Sequence, residues 1–195
     1  MAKLTLDDIT DLRAYERERD EFRTEIISMK KRRRIPVGDI LTMVFENTAT
    51  MRFQIQEMAR VERMLRDEQI AHEIETYNEL IPEDGELSCT LFIELTDDEA
   101  LRYWLPRLTD IERNIVFVVG DEVVEAREQD AYRLTRDDIT STVHYLKFGP
   151  FTEAQQAAFR DGGAPVRIVV EHPEYQADVA LTADQREELV GDFAA

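Results

Sequence analysis

Apolar positions change period several times along the chain, and each change marks an element. Leu12, Tyr15, Phe22, Ile26 and Met29, with Arg19 interrupting the seam, recur at steps that predict a long helix reaching about Arg33. Thr5, followed by Asp7 and Asp8, suits the start of that helical stretch. Residues 35–39, with Pro36 and Gly38, read as a break and turn, and residues 40–46 as a mainly apolar strand. A second helix follows, with Thr48 or Thr50 as its cap and a thin apolar stripe of Met51, Ile55, Met58, Val61 and Leu65. The next apolar residue, Ile70, is out of phase. Either a kink or a third helix capped by Asp67 then carries Ile70, Ile74 and Tyr77 to about Leu80, and residues 81–85 stop it.

The second half shows one pattern twice. Residues 86–95 read as a strand. Thr96, Asp97 and Asp98 cap a helix that turns Ala100, Leu101, Trp104, Leu105 and Leu108 inward, and residues 114–119 and 122–127 form a hairpin around Gly120-Asp121. Residues 141–148 are again a strand. Thr152 and Glu153 open a helix with Ala157, Ala158 and Phe159, which ends at Gly162-Gly163. Residues 166–171 and 175–181 pair around His172-Pro173-Glu174, and Thr182 to Asp184 cap a last helix with Leu189, Val190 and Phe193. The polar stretch from Glu128 to Asp138 has no period and reads as a mobile loop. The expected fold class is α+β, with long N-terminal helices packed on a mostly antiparallel sheet built from two strand-helix-strand-strand units. Residues 1–82 form the helical layer, with strand 40–46 at a sheet edge, and residues 83–195 the duplicated unit, within one compact domain.

Charge narrows the partners. The chain of 195 residues has a formal net charge of −18 and is 43% hydrophobic, enough for a real core. That acidity opposes binding to nucleic acid or to an anionic membrane. Lys3, Lys30, Lys31 and Lys147 are the only lysines, so the basic side is mostly arginine. Cys89 is the only cysteine, which excludes an internal disulfide and a cysteine metal cluster, and its apolar strand surroundings predict a buried, inert thiol. No leader and no run long enough to span a membrane is read in the chain, so the expected compartment is the cytoplasm.

No motif carries a strong mechanism: there is no glycine-rich phosphate loop, HExxH, CxxC or nucleophile elbow. The second helix is the most unusual stretch, with Gln54, Gln56, Glu57, Arg60 and Glu62 between its apolar positions. Glu46 and Asn47 precede it, and Tyr77, Asn78 and Glu79 end the third helix. These oxygen and amide groups suit either a hard metal ion or a buried network that fixes the angle between helix and sheet. Lys30, Lys31, Arg32 and Arg33, with Arg34, close the first helix. They either complement its dipole or form an anion or partner-docking patch. Among the histidines, His72 lacks the Glu-x-x-His spacing of di-iron bundles and reads as a surface residue. His144 reads as half-buried on a strand, and His172 as the candidate for exposed chemistry in a turn. Metal candidates are therefore Glu57, His72 and His172, and no cofactor is implied.

Several stretches, in order, carry a resemblance. They are residues 4–9, Tyr15-Glu16-Arg17, Lys30 to Arg33, Phe45-Glu46-Asn47, residues 54–58 with Arg60 and Glu62, residues 77–82, and Thr90 to Glu94. The chain resembles, over nearly its whole length, the bacterial family known as domain of unknown function 3501. Members often sit near genes for rubrerythrin-like proteins and iron–sulfur oxidoreductases. The resemblance thus implies an accessory role in redox or oxidative-stress metabolism, with a rubrerythrin-like or iron–sulfur protein as partner. The repeated unit is also similar to the vicinal oxygen chelate fold, which implies His144 and Glu94 as strand ligands, although each unit is a strand short.

Two functions follow as expectations. The first is a non-catalytic accessory protein that docks its partner through the polar second helix and the basic cluster, and that forms a homodimer through the long first helix. The alternative is a metal-dependent enzyme or metal-binding protein with its ligands among Glu46, Gln54, Glu57, Asn78 and Glu79.

Overall fold

Alternation of buried and exposed residues sets an inside and an outside for every strand, and the register then decides which strands meet. In the computed structural model, which describes residues 1–129 and 139–193, eight strands pair antiparallel throughout. They are β1 (Arg34–Val37), β2 (Leu41–Glu46), β3 (Leu87–Ile93), β4 (Ile115–Val119), β5 (Glu122–Glu128), β6 (Val143–Phe148), β7 (Val166–His172) and β8 (Tyr175–Ala180). Their order is β1-β2-β3-β6-β5-β4-β7-β8.

This order corrects the expected architecture. The two strand-helix-strand-strand stretches do not form separate units side by side, because β6 inserts between β3 and β5, and β7 pairs with β4. The first half does not simply cover the sheet with helices: β2 pairs with β1 on one side and β3 on the other, so the sheet runs across residue 82. The two edges then approach each other. The Tyr175 hydroxyl at the start of β8 donates to the Val37 carbonyl at 2.9 Å and accepts from the Asp39 amide at 2.8 Å. The sheet is a nearly closed barrel in which the edge strands β1 and β8 face each other across the seam.

The interior is apolar and continuous. Met43, Phe45, Cys89, Leu91, Ile115, Phe117, Leu146, Phe148, Ile168 and Val170 face into it, and Phe117 stacks edge-on against Phe148 with centroids 4.8 Å apart. Burial pushes the Cys89 thiol up, as an inert packed thiol requires. β1 occupies what the sequence suggested was a turn; Pro36 is tolerated there because β1 is an edge strand.

The helices are α1 (Leu12–Arg32), α2 (Thr48–Val61), α3 (Asp67–Asn78), α4 (Asp98–Trp104), α5 (Glu153–Asp161) and α6 (Ala183–Phe193). After α1, with 21 residues, none exceeds 14, so the layer of long helices is not observed. Asp11 caps α1 and Asn47 caps α2, each through its side-chain oxygen. The residues near Thr5 form a separate short 3-10 turn. β2 is buried along its whole length, having helices on one side and the core on the other. A second apolar cluster, with Leu4, Met51, Ile55, Ile74, Leu80 and Ile81, joins α2 and α3 to the N-terminal segment. Most of the stretch expected to be a mobile loop lies outside the described residues; Glu128 itself ends β5.

Candidate metal centre

The central-helix carboxylate is already saturated by its neighbours. Glu57 accepts from the Tyr15 hydroxyl at 2.8 Å, from Arg19 Nε and Nη2 at 2.8 Å each, and from Arg60 at 3.3 Å. The Arg19 guanidinium, aided by Tyr15 and Arg60, holds the Glu57 carboxyl down to about 2. Arg19 thus interrupts the apolar seam of α1 because it is a fork closing on Glu57. The neighbouring amides serve the fold as well. Gln56 is fully buried, accepting from the Thr10 amide and donating to the Thr10 carbonyl. Asn78 does the same for Leu4 at 2.8 and 2.9 Å, while Gln54 lies close to the Tyr77 hydroxyl. Glu79 is exposed.

Most of the basic run is also engaged within the molecule. Lys30 lies 3.4 Å from Glu46, Arg32 pairs with Glu188 at 2.7 Å, and Arg34 pairs with Glu94. Arg33 is buried; it donates to the Phe45 carbonyl at 2.8 Å and forms an ion pair with Asp192. Lys31 is exposed beside them. Glu46 is buried and accepts from the Thr90 hydroxyl at 2.8 Å, and Asn47 is spent on the α2 cap. His72 is exposed on α3, and Glu94, held by the Thr42 hydroxyl and Arg34, lies away from His144.

A different set of side chains converges at one end of the barrel, where β4 begins, β5 ends and β6 begins. His144 shares the inward face of β6 with Leu146 and Phe148. Glu128 stands opposite Leu146, so it is the diagonal cross-strand neighbour of His144. Glu112 comes from a 3-10 turn, Ile111–Asn114, just before β4. Leu108 and Ile111 are fully buried there and plug the barrel end, carrying Glu112 in with them. His144 Nδ1 lies 3.1 Å from Glu128 Oε1 and 3.8 Å from Glu112 Oε2. One ligand atom from each residue falls within 4.8 Å of the other two. Among the described residues this is the only group of three or more such side chains.

The hydrogen bonds decide which nitrogen faces the carboxylates. His144 Nε2 is 3.0 Å from the Ser141 carbonyl, which only accepts, and 3.0 Å from the Thr140 hydroxyl. Nε2 therefore donates to Ser141, and Nδ1, 3.1 Å from Glu128, either donates to that carboxylate or, where a metal ion takes the place of its proton, offers the ion a lone pair. Two carboxylates and one ring nitrogen thus converge on one point. Both oxygens of Glu112 are buried without a hydrogen-bond partner, and its side chain has 0% exposure. An ionised carboxylate so placed costs several kcal/mol unless a cation stands beside it. An ion bonded at about 2.1 Å to each ligand holds them up to about 4.2 Å apart, so a small rotamer adjustment closes the set. A ring whose second nitrogen is held by a carbonyl is also the usual arrangement of a metal-bound histidine.

The sequence singled out His144 but neither of its partners. Glu128 could be read from its parity with Val124 and Ala126 on β5. Glu112 gave no periodic signal, because a short 3-10 turn has none. His172 is buried rather than exposed, and it donates from Nε2 to the Thr109 carbonyl at 2.9 Å.

A family model described as "Protein of unknown function (DUF3501)" matches residues 3–193. The chain belongs to this family. It is also similar to a solved structure described as a novel protein of unknown function from Burkholderia pseudomallei K96243. The identity is 34%, with 98% of this chain and 99% of that one covered and a TM-score of 0.89. No protein with a curated description matches the chain. Among the described residues no helix is long and apolar enough to cross a membrane.

Proposed function

We propose that this chain is a divalent-metal-binding protein whose ion sits at the end of the barrel, held by Glu112, Glu128 and His144. The observation that supports this most is the Glu112 carboxylate, fully buried, with both oxygens unpartnered and pointing into a cluster of two further ligand atoms. Two carboxylates and one imidazole suit manganese, iron or zinc. Three protein ligands among the described residues are the number found in sites that keep a position for water or substrate, which favours a metal-dependent activity over a structural ion. Docking through α2 draws less support, since Gln56 and Glu57 are engaged inside the molecule. Exposure of Val61 at 65%, the last residue of that helix, and of Leu65 at 80% just beyond it favours a contact surface there as a second reading, with a homodimer or a redox partner as its occupant.

The test is metal content of untagged protein purified without oxygen, followed by Mn²⁺ titration of the ion-free chain. The proposal expects about one equivalent per chain. Glu112→Met is expected to abolish uptake and to raise the stability of the ion-free protein by about 1–3 kcal/mol, because it replaces an unpaired buried charge with a packed apolar side chain. An ion-free protein that takes up no metal, and that Glu112→Met destabilises, would sink the proposal.

A further inference from the structure

Glu112 reaches the barrel interior only because the chain turns sharply just before it. Asp110 adopts a left-handed conformation, with φ of 64°, that a residue with a side chain seldom holds. Around it, the Ile111 amide donates to the Leu108 carbonyl at 3.1 Å, and the Asn114 side chain donates to the Asp110 carbonyl at 2.8 Å. The carbonyl between them, that of Thr109, is held from outside the segment by His172, the last residue of β7. Both ring nitrogens of His172 are committed. Nε2 donates to Thr109, and Nδ1 accepts from the Glu174 amide at 3.2 Å. The ring is buried, with 5% of the residue exposed. It is therefore fixed in one tautomer and one orientation, and the next residue but two, Tyr175, closes the barrel seam.

We propose that His172 is the positioning residue of the cation site: it pins the Thr109–Asp110 turn to the β7–β8 hairpin and so sets where the Glu112 carboxylate stands. This rests on the cation site proposed above. His172 touches none of the three ligands; its effect runs through the backbone of the turn. Partners bonded directly to a ligand typically govern metal affinity by about 10- to 100-fold, and His172, acting one step further out, is expected at the low end of that range.

The test compares the full-length chain with His172→Leu and His172→Gln, the latter keeping an N–H donor near the Nε2 position. Mn²⁺ affinity is read from the electron paramagnetic resonance signal of the free ion, and amide exchange is followed in the ion-free proteins. His172→Leu is expected to weaken Mn²⁺ binding about tenfold or more and to speed exchange at residues 111–114, with β2 and β3 as protected as before. His172→Gln is expected to stay within about threefold of the parent. Parental Mn²⁺ affinity in His172→Leu overturns the positioning role and leaves the cation site standing. Exchange that quickens equally in β2 and β3 also overturns it, since His172 would then support the fold at large. A parent chain that takes up no Mn²⁺ overturns the cation site and the positioning role together.

Discussion

Glu57 illustrates how one side chain is given its role by its neighbours. On α2 it sits among polar residues, as a surface group would, yet Arg19 and Tyr15 of α1 close over it. Its carboxyl falls to about 2 in the folded chain, against an ordinary value of 4.5. A carboxyl depressed on folding adds stability that is fully present above the unfolded value and fades as the pH falls toward the folded one. Glu57→Gln should therefore cost about 1–3 kcal/mol at pH 7. Urea denaturation of both chains should show that difference constant above about pH 5.5 and shrinking between about 4.5 and 2. A difference that stays unchanged down to pH 2.5 would contradict the depressed carboxyl. At the residue scale the sequence left Glu57 between a metal ligand and a buried structural network: spacing shows that Glu57 and Arg60 share a helix face, but cannot show that α1 lends two more partners.

The ends of elements are where this chain places its charges. Arg33, just past α1, sends one guanidinium to the Phe45 and Glu46 carbonyls of β2 and to Asp192 of α6. Three elements distant in sequence meet on a single buried cation. Arg33→Met should cost about 3–5 kcal/mol, because it leaves Asp192 buried and unpaired. Adding Asp192→Leu should recover a large part of that loss in a double-mutant cycle read by denaturant unfolding. Additive losses would show that the two side chains do not act as a pair. A run of like charge in the sequence had two readings, dipole complement or docking patch. The spatial partners, Glu46, Glu188, Asp192 and Glu94, assign Lys30, Arg32, Arg33 and Arg34 to joints between elements, while Lys31 stays exposed.

Closure is a property of the whole molecule. Strand β1 and strand β8 lie far apart in the chain and meet through the Tyr175 hydroxyl, which enters beside Gly38. A Cβ on Gly38 would lie 2.1 Å from that oxygen, and its φ of +76° is left-handed. Tyr175→Phe should cost about 1–2 kcal/mol through the Val37 and Asp39 partners it abandons. Gly38→Ala should cost about 1–3 kcal/mol of backbone strain and also expel the hydroxyl. Together they should cost less than the sum, because each removes the same latch. Thermal unfolding of the four chains checks this, and strict additivity would place the seam elsewhere. The cation site, the His172 contact and this latch all lie at the same end of the barrel.

What the sequence determined by itself was local. Periods of 3.6 and 2 located most of the helices and strands, because amphipathic faces are written residue by residue. The apolar setting of Cys89 announced a buried thiol, and ordered motifs announced the family. Strand order was beyond it, since alternation fixes which face of a strand turns inward but not which strand lies beside it. Insertion of β6 between β3 and β5, and closure of β1 toward β8, were decided by the packing of the whole sheet. The candidate site was decided at that level too. Glu112, Glu128 and His144 come from a turn, a strand end and a strand start, with no spacing to link them, and only the curled sheet brings their ligand atoms within 4.8 Å of one another.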